Sequence, residues 1–151
     1  MVSRMFRMET GVDKERLGLL RSRLREADDA ASPVLRALRG TPHDQEVPLA
    51  LWALDEAGDI AAGLAAHTWG RWLHVNYLWV AERHRGAGLG SRLLDEAERV
   101  AREDRGCARS RVETWDFQAP GFYRSHGYEL VCVIPDYPEG AKEFTLTKKL
   151  A

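Results

Sequence analysis

Apolar residues recur at three- and four-residue spacing in some stretches of the chain and alternate with polar ones in others. Over residues 12–31, Leu17, Leu20, Leu24 and Ala27 fall on one face of a helix. Ser32-Pro33 then offers a cap and a proline at the first helical position, which predicts a short second helix through Val34, Leu35 and Leu38, ended by Gly40-Thr41-Pro42. From residue 47 the period changes. Residues 47–54 and 60–69 read as strands joined by the charged turn Asp55-Glu56-Ala57-Gly58-Asp59. A turn at Gly70-Arg71 leads into 72–80, rich in aromatic and β-branched residues. These three runs predict an antiparallel meander.

A glycine-rich segment, 85–90, precedes a strong helix over 91–105, whose apolar face is Leu93, Leu94, Ala97, Val100 and Ala101 and whose stop is Gly106. Residues 108–115 read as a strand, 119–126 as a short helix, and 128–134 and 144–150 as closing strands around a loop with Pro135, Pro138 and Gly140. The order of elements predicts a mixed α/β fold, a sheet with helices on its faces. At 151 residues the chain fits one domain, with an N-terminal helical region over about 12–40 and a core over about 47–150. The arginine-rich helical region suits either a cover over a substrate or a plain solvated face.

Composition narrows the classes. Formal net charge is −1, from 22 basic and 23 acidic residues, which gives no global pull toward nucleic acid. No apolar run approaches the roughly 20 residues of a membrane span, and the first residues carry no secretion signal. Cys107 and Cys132 form no CxxC pair and no disulfide framework, so a reduced, cytoplasmic protein is expected. The five histidines, His43, His67, His74, His84 and His126, lack compact ligand spacing, and no metal is expected. The five tryptophans read as core or as substrate walls, and Cys107 as a small buried residue.

The informative stretch is Val80-Ala81-Glu82-Arg83-His84-Arg85-Gly86-Ala87-Gly88-Leu89-Gly90-Ser91. It joins a strand end, a basic turn, three alternating glycines and a helix start. Glycines let backbone approach a ligand closely, and the first helical turn offers unpaired N–H groups and a positive dipole end to an anion. A purely structural loop is the alternative. A P-loop fits badly, because no Lys-Ser/Thr follows the glycines. A dinucleotide fingerprint fits badly too, because Ser91 stands where the third glycine belongs.

Arg85-Gly86-Ala87-Gly88-Leu89-Gly90 resembles the R-x-x-G-x-G signature of the GNAT superfamily of acyl-CoA-dependent N-acetyltransferases. The segment Asp116-Phe117-Gln118-Ala119-Pro120-Gly121-Phe122-Tyr123-Arg124-Ser125-His126-Gly127-Tyr128 is similar to the family's later N-x-x-A-x-x-x-Y…G-[FY] block. Together the motifs and the order of elements cover roughly residues 47–150. The resemblance implies a twisted, mostly antiparallel sheet splayed into a V, with helices on both faces. It implies acetyl-CoA as cosubstrate, its pantetheine arm pairing with Leu78, Trp79 and Val80. It puts the pyrophosphate on the backbone of Gly86, Ala87, Gly88, Leu89, Gly90 and Ser91, beside the charge of Arg85. Tyr123 matches the tyrosine that protonates the departing sulfur, a task suited to a phenol of reference pKa near 10. Asp116 stands where the family commonly has an asparagine that contacts CoA.

The base does not transfer, because Arg111 occupies the position that holds a catalytic glutamate in other members. Arg111, Glu113 and Trp115 share one face of their strand. Glu113 is the first candidate base, with a cross-strand charge pair as its alternative reading. His74 and Asn76 are alternatives as lining of a wet channel. The expected function is transfer of an acetyl group from acetyl-CoA directly to the primary amine of a small molecule. Alternatives are a protein N-terminal or lysine acetyltransferase and a noncatalytic CoA-binding module. A nucleic-acid module built on Arg83, His84 and Arg85 is disfavoured by the near-neutral charge. Homodimers are common in the family, which makes a second copy a possible partner.

Overall fold

The computed structural model describes residues 5–151, which divide into two compact units, the first ending at Gly40 and the second running Thr41–Ala151. The first unit is a helical pair. Helix α1, Lys14–Ala31, starts at Asp13, whose carboxylate accepts the Arg16 N–H at 3.0 Å. Ser32 ends α1 and caps α2, Pro33–Leu38, by accepting the Leu35 N–H at 3.2 Å, with proline at the first helical position as expected. Arg36 reaches the carbonyls of Asp29 and Ala30, and Arg39 pairs with Asp29 at 2.8 Å, so polar contacts fix α2 to α1. The apolar stripe of α1 is largely uncovered: Leu17, Leu20 and Leu24 are 39%, 63% and 59% exposed. Periodicity identifies which face of a helix is apolar, but not what covers it.

The second unit is built on one six-stranded sheet. Its strands are β1, Val47–Leu54; β2, Ile60–Trp69; β3, Trp72–Val80; β4, Arg109–Trp115; β5, Glu129–Ile134; and β6, Glu143–Lys149. Their spatial order is β1-β2-β3-β4-β6-β5, and every neighbouring pair is antiparallel except β3 with β4. The meander and the mixed α/β architecture are as expected. Helix α3, Leu89–Arg99, packs on β1, β2 and β3 through Leu93, Leu94 and Ala97. It stops short of the predicted residue 105, and the chain continues as a π-helical turn, Val100–Asp104. Helix α4 is Pro120–Ser125. Leu64, Leu73, Val75, Leu94 and Leu146 are fully buried between sheet and helices.

One irregularity positions the site. Val75 pairs with Ala66 and Tyr77 with Ala65, so Asn76 is an extra residue in β3. Side chains alternate along a strand, and one inserted residue reverses their phase. Leu73 and Val75 therefore face the core before the bulge, and Leu78 and Val80 after it. Trp72, His74, Tyr77 and Trp79 share the opposite, open face. Beyond Val75, paired with Val112, β3 and β4 no longer pair. The sheet splits there, leaving a wedge between residues 76–80 and 113–115.

Candidate active site

At the wide end of the wedge, the glycine-rich loop leads into α3. Gly86 and Gly88 have φ of +82° and +80°, left-handed conformations that glycine adopts without strain. Gly88 is also the N-cap of α3, and having no side chain it gives the helix no capping bond. The first bond into the helix is from the Arg92 N–H to the Gly88 carbonyl at 3.0 Å. The N–H groups of Leu89, Gly90 and Ser91 thus lie ahead of it at a positive dipole end, the arrangement that binds anions. Gly90 is different from its two neighbours. A Cβ there would meet the Phe122 ring at 3.5 Å and Val80 at 3.6 Å, ordinary contact distances, so its protein surroundings do not demand glycine. Ala87 is exposed, and Leu89 is half-buried against the core.

The basic side chains of the loop are partly committed. Arg83 pairs with Asp55 at 2.9 Å and also donates to His84. Arg85 donates its Nε–H to the Val80 carbonyl at 3.1 Å, tying the loop to the end of β3. Residues 78–80 pair with β2 on one side only, and their other edge faces the wedge. Asp116 lies in the turn after β4 with an exposed carboxylate, and its N–H donates to the Lys142 carbonyl at 2.9 Å.

Tyr123 enters the core from α4. Its ring is 6% exposed and makes edge contacts with Phe122 and Tyr128, at centroid distances of 5.2 and 5.6 Å. Burial pushes its phenol up to about 12, and its hydroxyl forms no hydrogen bond with any described residue. Such a group stays protonated at neutral pH and keeps its donor free. Sequence reading missed the residue that joins α4 to the loop. His126 Nε2 lies 2.9 Å from Ser91 Oγ, and its ring packs at 4.7 Å on Phe122. The two partners are 35 residues apart, so no local pattern signals them.

On the open face, where β3 and β4 part, Glu113 lies between two donors. His74 Nε2 is 2.7 Å from one carboxylate oxygen, and Arg111 is 2.5 Å from the other. Burial pushes the Glu113 carboxyl up, but these two partners outweigh it and hold it below the usual carboxylate range. His67 stacks obliquely on His74 at 4.9 Å and bonds Asn76 through Nδ1 at 2.8 Å. The cluster borders a hollow of about 400 Å³ walled by Trp69, Trp72, Arg111, Val131 and Thr145. A second hollow of about 420 Å³ lies along the same face between Trp52, Tyr77 and Trp79, over Gly63. Trp52, Trp69 and Trp79 are thus walls rather than core, being 59%, 41% and 52% exposed. Cys107 is buried, and burial pushes its thiol up, which makes it inert. Among the described residues there is no group of three or more His, Cys, Asp or Glu placed to hold a metal, and no helix long and apolar enough to cross a membrane.

A split sheet, an uncapped helix start behind a glycine loop and a buried tyrosine beside them define a class of enzyme. Residues 19–128 match the model of the acetyltransferase (GNAT) family, and the chain belongs to it. It is 53% identical over 131 residues to blasticidin-S acetyltransferase of Streptomyces morookaense, a match covering 85% of this chain and 96% of the relative. A crystal structure of an acetyltransferase from Bacillus cereus ATCC 14579 superposes with a TM-score of 0.81 at 28% identity, over 96% of this chain and 98% of that one. That of nourseothricin acetyltransferase superposes with a TM-score of 0.62 at 26% identity, over 69% of this chain and 66% of that one. The protein is a GNAT-type, acetyl-CoA-dependent acetyltransferase.

Proposed function

We propose that the enzyme acetylates a primary amine of a small molecule, and that blasticidin S, or an antibiotic like it, is the acceptor. The observation that carries this reading is the 53% identity to blasticidin-S acetyltransferase over 96% of that protein's length. The aromatic-walled hollows on the open face support a compact acceptor over a protein tail.

Three features fit acetyl-CoA. The free edge of residues 78–80 suits the amides of a pantetheine arm, which can pair there as a further strand does. The N–H groups of Leu89, Gly90 and Ser91 suit a pyrophosphate, with the loop of Gly86, Ala87 and Gly88 bending around it. The hydrogen at Gly90, where the chain itself leaves room for a methyl group, keeps that approach open. Most of this grip is main chain, and Arg85 adds charge beside it.

Tyr123 supplies the proton for the departing sulfur. A phenol at about 12 is a weaker acid than a reference thiol near 8.5. It therefore holds the sulfur by hydrogen bonding and gives up its proton only as negative charge gathers there. Tyr123→Phe is expected to lower kcat about 100-fold or more, with acetyl-CoA binding by calorimetry little changed. The deciding assay follows thiol release from acetyl-CoA with blasticidin S as acceptor. Turnover with blasticidin S supports the reading. Acetylation of protein N-termini or lysines, with no turnover on blasticidin S or other small amines, would replace it by the protein-acetyltransferase alternative.

A further inference from the structure

An amine acceptor reaches the enzyme as an ammonium ion, and one proton must leave it before the nitrogen can attack. We infer that His74 is the general base that takes this proton, and that Glu113 is the residue that positions it. This rests on the acetyl-transfer reading above.

Glu113 is poorly placed to be the base. One of its oxygens is engaged by His74 at 2.7 Å and the other by Arg111 at 2.5 Å. To accept a proton from an ammonium it must give up a partner, and those partners keep it anionic. What it does well is orient an imidazole. Glu113 is acceptor-only when ionised, so His74 presents Nε2–H to it, and the ring's second nitrogen, Nδ1, carries the lone pair. No described residue bonds Nδ1, and His74 lines the hollow of about 400 Å³. Carboxylate, imidazole and a free ring nitrogen in line form the arrangement by which many enzymes make a base. Arg111 holds the carboxylate from its far side.

Position agrees with chemistry. His74 pairs with Arg111 one residue before β3 and β4 separate at Val75 and Val112. Its ring therefore stands at the apex of the wedge, on the open face, with Trp69 and Trp72 as walls for the acceptor. His67 braces the ring at 4.9 Å, and Asn76, fixed by the bulge, holds His67 in turn.

The proton account closes. His74 Nδ1 takes one proton from the ammonium and becomes imidazolium against the Glu113 carboxylate. The freed nitrogen forms a C–N bond to the acetyl carbon as the C–S bond breaks, and the sulfur takes the hydroxyl proton of Tyr123. The nitrogen's second proton is lost on amide formation and makes good the one Tyr123 gave. His74 returns its proton to solvent, so each turnover releases one.

The test uses the full chain, acetyl-CoA and blasticidin S, with thiol release and acetyl-CoA binding measured side by side. His74→Gln is expected to lower kcat by at least 100-fold, with the dissociation constant for acetyl-CoA within about twofold. In His74→Ala, added imidazole should restore part of the turnover. Glu113→Asp should keep more activity than Glu113→Gln, as suits an orienting carboxylate. Turnover of His74→Gln within fivefold of wild type would overturn the assignment. So would a large loss that imidazole does not relieve in any part, which would make His74 a structural residue. Absence of wild-type turnover on every small amine, with acetyl-CoA still bound, overturns the acetyl-transfer reading itself, before any variant is compared.

Discussion

Two glutamates on opposite faces of the same sheet are held in nearly the same way. On the closed face, Glu98 of α3 takes the Lys148 ammonium at 2.6 Å on one oxygen and the Tyr128 hydroxyl at 3.1 Å on the other. On the open face, Glu113 takes Arg111 on one oxygen and His74 on the other. Each is a carboxylate clamped between a cation and a ring that carries a proton. They differ in what lies beyond the ring. Tyr128 goes on to Ser110 at 2.8 Å, a side chain with no exposure, so its proton has nowhere to go. Burial, and then the charge of Glu98, push the Tyr128 phenol far up, which locks the proton in place. His74 goes on to a hollow. The first cluster is a rivet joining α3, β6 and the start of β5, and the second has one valence left for a substrate.

The sharpest way to break that contrast is to remove each charge in turn. In Glu98→Gln a carboxylate that is 6% exposed at its side chain disappears and Lys148 loses its partner. Breaking such a pair costs about 3 kcal/mol, at the low end for buried pairs because a quarter of Lys148 is exposed. Glu113→Gln, at a half-buried site, should cost about 1 kcal/mol or less. Urea denaturation of both variants checks this, and equal losses would make Glu113 a second rivet. A smaller contrast uses the two tyrosines. Tyr128→Phe takes away the hydroxyl that bonds Ser110 and the second oxygen of Glu98, which costs about 2 kcal/mol. Tyr123→Phe removes a hydroxyl that bonds no described residue, so its stability should stay within about 0.5 kcal/mol of wild type. A stability loss in Tyr123→Phe as large as in Tyr128→Phe would give Tyr123 a structural task.

How much of this was legible in the sequence follows from the range of each interaction. The loop could be read because its geometry is local: φ values of +82° and +80° fall on glycines, and a helix starts beside them. The strands could be read because each alternates along itself. Arg111 lies two residues from Glu113 on the same strand, but the His74 half of the clamp could not be read, since that ring comes from a strand 39 residues away, brought level by a parallel register. Read alone, Glu113 is a first candidate base with a cross-strand charge pair as the alternative, and only the placing of His74 decides between them. Glu98 gave no signal either. A charged residue beside Ala97 on a helix reads as solvated, and only the arrival of Lys148 and Tyr128 makes its burial tolerable. The phase reversal in β3 depends on Asn76, which nothing in its own segment marks as an extra residue.

The finest distinction between the two clamps lies in acid. His74 and Arg111 hold the Glu113 carboxyl below its usual range despite burial, so its native-state pKa is lower than the unfolded value near 4.3. A depressed carboxylate contributes stability that is fully present above the unfolded value and is lost as pH falls through the native one. The contribution is therefore lost as pH falls from the unfolded value near 4.3 through the native one. At a site with 28% side-chain exposure it amounts to less than about 1 kcal/mol. Glu9 and Glu96 are also held low by arginines, so wild type alone cannot isolate the effect. Those groups are the same in Glu113→Gln and cancel in the difference. The gap in unfolding free energy between wild type and Glu113→Gln should thus narrow from about pH 5 toward pH 3.5. A gap that did not change with pH would mean that His74 and Arg111 do not hold the carboxylate in solution, and the orienting role would go with it.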